Sequence, residues 1–389
     1  MKIVDVCAFY SPTGGGVRTY VERKLAAAEA LGHEVVIVAP GPERRVEARG
    51  AGRILTIPAR QFPLDRNYHY FDDDDRLLAT IDAERPDFLE ASSPWRSAET
   101  IARWRGDAPR ALVMHADPLA AYAYRWFGRV ASRETINRHF GWFWNHLRRL
   151  DPAFDFVVTA NRELGGRLSG GGLKHVVTVP MGVEPDLFSP AHRDAELRAD
   201  LLALCNLPPD ALLLIGVGRH APEKRWPMVI DAVAAAGYAL PVGLVLVGDG
   251  RSSDRSARAI GRNPHIAMLP AIADRHRLAR LMASADALVH GCEAETFCMV
   301  AAEARASGVP VIVPDVGGAA DHARGGGGLL YAAGDAASLA AAVRRFAADR
   351  RALGLAARAS APQSRTIDAH FADLFGLYAS RVHAPRRAA

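Results

Sequence analysis

No stretch of this 389-residue chain approaches the ~18 consecutive apolar residues that a membrane-spanning helix needs, although 49% of its residues are hydrophobic. Its opening, Met-Lys-Ile-Val-Asp-Val, begins a strand and lacks the build of a signal peptide. Cysteine is scarce: Cys7, Cys205, Cys292 and Cys298 are scattered and form no Cys-x-x-Cys pair. That excludes a disulfide framework, predicts no zinc site, and reads as reduced thiols in a cytoplasmic protein. Blocks of like charge are missing as well, which argues against disorder. The net charge of +5 favours anionic partners such as sugar nucleotides, acidic headgroups or nucleic acid, without choosing among them.

What is present is alternation. Ile3 to Phe9 reads as a buried strand, residues 11–16 as a tight loop and Val17 to Leu31 as an amphipathic helix that Gly32 stops. Further strands are predicted at Val35–Ala39, Phe88–Ala91, Ala111–His115 and Phe156–Thr159. A second series follows: Leu212–Val217, Gly243–Val247, His265–Leu269, Ala287–His290 and Pro310–Val313, with helices between them. The pattern predicts an α/β protein of two doubly wound, Rossmann-like domains facing across a cleft, spanning residues 1–185 and 186–365. Residues 366–389 then form a helix, Ile367–Val382, plus a basic tail.

Several strand-end clusters suit chemistry. Thr13-Gly14-Gly15-Gly16 lets backbone N–H groups approach a phosphate at a helix start, although its spacing is not the dinucleotide fingerprint Gly-x-Gly-x-x-Gly. In the matching loop of the second domain, Arg219 and Lys224 place two cations that could neutralise a diphosphate. Glu295 and Glu303 lie eight residues apart in what reads as a helix over Thr296–Ser307. Eight helical residues separate them by about 12 Å and about 80°, a span that suits the sugar and ribose ends of a nucleotide sugar. His115 ends a strand, where it could bond a sugar or assist proton transfer, although taken by itself it reads better as a structural histidine. The acidic run Asp72–Asp75 reads as a helix start and not as a metal site. Tyr122–Trp126 and Arg138–Arg149 interleave aromatics with cations, compatible with core packing, a membrane surface, an acceptor sugar or single-stranded nucleic acid.

In order and spacing these pieces resemble the GT-B glycosyltransferases of family 4, the retaining enzymes that include bacterial mannosyltransferases. The likeness spans almost the whole chain: Gly14–Gly16, Gly182-Val183 with Phe188, Gly218-Arg219 to Lys224, Val247-Gly-Asp-Gly250, and Glu295 to Glu303 running into Ala306-Ser-Gly-Val-Pro-Val. It implies that Gly15 and Gly16 approach the diphosphate and that Arg219 and Lys224 neutralise it. It also implies that Glu295 holds sugar hydroxyls, backbone groups from Phe297 through Cys298 to Met299 touch the sugar and β-phosphate, and Glu303 holds the ribose. His115 would contact the donor sugar, and the base would sit near Leu269. The terminal helix looks like the one that packs back on the first domain in this fold, and Cys298 departs from the glycine that many members have.

The expected activity is retaining transfer of a hexose from a nucleotide diphosphate sugar, GDP-mannose slightly favoured, to a glycan or lipid-linked acceptor. No metal or other cofactor is expected, and peripheral contact with the inner membrane surface is left open. A UDP-sugar donor (glucose, glucuronate or N-acetylglucosamine) acting on a lipid is the alternative. A basic nucleic-acid-binding protein is the rival of a different class, although no nucleic-acid partner is expected.

Overall fold

The computed structural model describes residues 1–12, 16–63, 68–124, 127, 131–184, 186–324 and 327–383. Thr13, Gly14 and Gly15 of the first glycine loop, Arg125 and Trp126 of the aromatic segment, and the basic tail from residue 384 lie outside the described residues. The chain forms two compact units. One comprises residues 1–116, 131–180 and 367–389, and the other residues 117–130 and 181–366.

The first unit is built on an eight-stranded sheet. Its strands in chain order are β1 (Lys2–Val6), β2 (Glu34–Gly41), β3 (Arg45–Arg49) and β4 (Gly52–Pro58). After a two-stranded ribbon of β5 (Arg60–Gln61) and β6 (His69–Tyr70) come β7 (Phe88–Ala91), β8 (Arg110–Met114), β9 (Phe156–Thr159) and β10 (Val176–Thr178). Across the sheet the order is β10-β9-β8-β7-β1-β2-β4-β3, parallel except for β3. Helix Gly16–Ala30 ends as predicted. Gly32 takes φ +70, its N–H bonds Glu29, and the next N–H reaches Ala28 at 2.8 Å.

Register places Asp5 of β1 directly beside Glu90 of β7, two buried like charges. Lys24 resolves the conflict, donating to Asp5 at 2.8 Å and to Glu90 at 2.5 Å. The Tyr378 hydroxyl also donates to Glu90 at 2.8 Å, which ties helix Ile367–Val382 to the sheet of this unit.

The second unit holds β11 (Leu212–Val217), β12 (Val242–Val247), β13 (Ile266–Leu269), β14 (Ala287–Val289), β15 (Val311–Pro314) and β16 (Leu329–Tyr331). They are parallel in the order β13-β12-β11-β14-β15-β16. Both faces are covered. Leu213, Ile215, Val245 and Leu288 enter one core, while Leu212, Leu214, Leu244 and Val289 enter the other. That double burial explains near-continuous apolar strands. Sheet order reverses between β11 and β14, and the loops leaving these two strands are where an open α/β sheet binds its ligand.

The acidic run behaves as a helix start. Asp73 caps helix Asp74–Glu84, and Asp74 bonds Arg96, Thr100 and Arg103. Among the described residues no helix is long and apolar enough to cross a membrane.

Candidate active site

Lys224 and Glu295 come from the loops after β11 and β14, and the Lys224 ammonium donates to the Glu295 carboxylate. Close approach of the loops makes this possible: a Cβ on Gly291 would lie 2.6 Å from the Lys224 carbonyl oxygen. Burial alone would raise the Glu295 pKa, but Lys224 outweighs it and holds the carboxyl well below the usual range. Burial likewise opposes the Lys224 charge, and Glu295 outweighs it in the opposite sense. The result is a fixed ion pair, about one-fifth exposed, at the reversal point of the sheet.

The helix predicted from Thr296 begins only at Met299. Cys298 stops it from starting earlier by adopting φ +66, the left-handed conformation that suits glycine. Glu295 therefore stands in a loop, and the helical separation of 12 Å and 80° from Glu303 does not apply. This loop is clamped from behind by helix Gly318–Arg324. The Gly318 N–H donates to the Glu295 carbonyl at 2.7 Å, and His322 Nε2 donates to the Phe297 carbonyl at 2.6 Å. Desolvation lowers the His322 pKa to about 4, so the ring is neutral.

Glu303 is 5% exposed, as its apolar neighbours suggested, but it is not without a partner. Arg275 Nη2 donates to it at 2.7 Å while its guanidinium lies over the Phe188 ring at 5.1 Å. Burial raises the Glu303 pKa, and Arg275 offsets this only in part. Arg219 leaves the same strand end as Lys224 and lies at the surface. Its side chain is 77% exposed, 3.5 Å from Glu223. Leu269 ends β13, and its carbonyl accepts from the Gly248 N–H.

Gly16 and His115 belong to the other unit. Gly16 opens its helix with nothing near its Cβ position. His115 follows β8, packs edge-on against Tyr20 at 4.8 Å, and loses water enough to lower its pKa to about 4. Sequence reasoning missed Arg275 and His322. Neither belongs to a glycine loop, and each acts across 25 or more residues.

Residues 14–187 match the family described as Glycosyltransferase Family 4, and residues 205–361 match Glycosyl transferases group 1. A GDP-mannose-dependent alpha-(1-6)-phosphatidylinositol dimannoside mannosyltransferase of Mycobacterium tuberculosis is 32% identical over 80% of this chain and 79% of its own. The chain belongs to the family 4, group 1 glycosyltransferases. A GDP-mannose-dependent alpha-mannosyltransferase of Mycolicibacterium smegmatis is 30% identical to this glycosyltransferase over 92% of each chain. Sucrose-phosphate synthase from Thermosynechococcus elongatus shares the fold, with a TM-score of 0.75 at 22% identity over 98% of both chains. The glycosyltransferase is thus a hexosyltransferase of the GT-B class, as its motifs implied.

Proposed function

We propose that this glycosyltransferase moves mannose from GDP-mannose, with retention, onto a lipid-linked or glycan acceptor. The Lys224–Glu295 pair at the sheet's reversal point carries the reading, because it sets an ammonium beside a carboxylate that accepts hydroxyl hydrogens. The relatives named as GDP-mannose-dependent support the choice of donor. As the bond from the sugar to the β-phosphate breaks, its electron pair goes to a phosphate oxygen. The acceptor hydroxyl oxygen bonds the sugar on the same face, and its proton passes to the leaving phosphate. Lys224 and the first N–H groups of helix Met299–Ala306 meet the growing negative charge. A lysine in this place supplies the charge that other transferases take from a metal ion, so none is required.

Glu295 bonds sugar hydroxyls, and Glu303 bonds the ribose. His115 offers a neutral imidazole to a hydroxyl. For the acceptor, helix Gly141–Leu150 buries Phe143, Trp144 and Leu147 while Trp142 is 58% exposed. Arg138 and Arg149 are exposed nearby along the chain. This basic-aromatic surface supports a lipid-linked acceptor reached from the cytoplasmic side of the membrane.

A thermal-shift screen against GDP- and UDP-sugars, followed by a transfer assay in EDTA, tests the reading. GDP-mannose should raise the melting temperature and be used as donor with EDTA present. Stabilisation by a UDP-sugar alone would reassign the donor, and a flat response to every nucleotide sugar would overturn the reading.

A further inference from the structure

Within six residues of the end of β14 the chain presents an imidazole, a thiol and a carboxylate, on His290, Cys292 and Glu295. One ligand atom from each lies within 4.8 Å of the others. His290 is fully buried, and its Nδ1 makes no hydrogen bond. Its Nε2 stands 3.2 Å from Glu295 Oε1. Buried imidazoles are ordinarily bonded; here Nδ1 has no hydrogen-bond partner, and Nε2 has only the Glu295 carboxylate beside it. Its backbone is fixed, since the Tyr331 hydroxyl donates to the His290 carbonyl at 2.8 Å. Cys292 is 3% exposed.

We propose that His290, Cys292 and Glu295 form a site for a soft divalent cation such as zinc, and that an ion there inhibits transfer by taking Glu295 from Lys224. The donor set decides the class of ion. Nitrogen, sulfur and oxygen together suit zinc, whereas magnesium and calcium take oxygen alone. Tetrahedral bonds of about 2.0–2.3 Å set ligand atoms about 3.5 Å apart. The His290–Glu295 distance already meets that spacing, and Cys292 needs a small side-chain movement to complete it. The fourth position falls to water.

At rest the Lys224 ammonium occupies the cation's place on Glu295, so the ion competes with a charge the fold supplies. On binding, the Cys292 thiol releases its proton to water and the thiolate sulfur bonds the metal. Inhibition rests on the proposed donor site, whereas binding of the ion rests on the three side chains alone.

Cobalt titration of the full, EDTA-treated chain separates the two. Thiolate-to-cobalt absorption in the near ultraviolet, with the intense visible bands of four-coordinate cobalt, is expected in the wild type. It should vanish in Cys292→Ser and survive in Cys205→Ser, whose thiol is buried elsewhere in the unit. Should Cys292→Ser fail to fold, Cys292→Ala or His290→Gln serves the same purpose, folding being checked by circular dichroism. Absence of the thiolate band, or its survival in the Cys292 variants, overturns the site.

In the transfer assay zinc should inhibit the wild type reversibly. Cys292→Ser should transfer normally and need about tenfold more zinc or above for the same inhibition. Cobalt bound through Cys292 without any zinc effect on transfer overturns the inhibition. A wild type that binds cobalt yet transfers from no nucleotide sugar instead indicts the donor reading.

Discussion

Lys224 and Glu295 meet from the loops of two paired strands, β11 and β14, and each determines the ionisation of the other. Glu295, with its pKa depressed, contributes stability above the ordinary carboxylate range and loses it only far into acid. Lys224, with its pKa raised, contributes below the ordinary lysine value and loses it only as pH climbs past the raised one. The pair therefore stays ionised from about pH 5 to about pH 10. Donor affinity should show no titration from this pair across that window. Lys224→Ala or Glu295→Ala should each lower kcat by about a hundredfold or more. Comparable transfer in both variants, with melting temperatures near wild type, would remove the pair from the mechanism.

Gly318 tests whether the loop's position matters apart from its side chains. A Cβ there would lie 2.6 Å from the Thr296 carbonyl carbon and oxygen and 2.7 Å from the Phe297 nitrogen. These are backbone atoms, which no rotamer change can move aside. Gly318→Ala should displace the loop that carries Glu295 and reduce kcat/KM by about tenfold or more, since overpacking costs about 1–3 kcal/mol. His322→Asn should act in the same direction through the Phe297 carbonyl. Unchanged kinetics in both would show that the loop holds itself.

Cys298 sets two effects against each other. Its left-handed backbone costs a non-glycine residue about 1 kcal/mol, while its side chain is only 2% exposed and packs in the core. Cys298→Gly relieves the strain and loses the packing, whereas Cys298→Ala loses packing and keeps the strain. Chemical denaturation should therefore rank glycine above alanine, with glycine within about 1 kcal/mol of wild type. The reverse order would mean that the conformation carries no strain.

Much of this was readable in the sequence because it is local or periodic. The doubly buried strands of the second unit are short apolar runs, and Gly32 and Gly308 each end a helix with a left-handed residue, at φ +70 and +67. Strand-end positions likewise singled out Lys224 and Glu295. The polar edge strand β3, exposed at four of its five residues, carries no apolar signal and was not foreseen. Nor was the late start of helix Met299–Ala306, because helical periodicity does not register one left-handed residue held by contacts from residues 318 and 322. Arg275 beside Glu303 and Lys24 between Asp5 and Glu90 are products of tertiary packing alone, with no trace in local pattern.

The Lys24 cluster makes the first unit sensitive to a single change. Lys24→Met leaves Asp5 and Glu90 buried beside each other with no cation, and should destabilise this unit by about 3–5 kcal/mol. Tyr378→Phe removes one of the donors to Glu90 and should cost about 1–2 kcal/mol. Urea unfolding of the two variants checks the ranking. Equal, small losses would show that water reaches the carboxylates.

Glu303 should trade stability for binding. Burial raises its pKa, so in the folded chain its charge is disfavoured. A raised carboxyl stabilises below its unfolded pKa and loses that contribution as pH rises through the folded value. At neutral pH the carboxylate thus carries a penalty that Arg275, itself 41% exposed, does not fully offset. Glu303→Gln keeps the shape and removes the charge, leaving Arg275 to water. It should raise stability at pH 7–8, and the gain should shrink in acid, where the wild type is protonated. Nucleotide affinity should fall by about tenfold if the carboxylate holds the ribose, since hydrogen bonds to charged groups are worth about 1.5–3 kcal/mol. Arg275→Ala should do the opposite to stability by stranding the charge, and the double variant should recover what Arg275→Ala loses. Melting curves at two pH values and nucleotide titrations on the three variants decide it. A destabilised Glu303→Gln with undiminished affinity would make Glu303 a partner of Arg275 and nothing more.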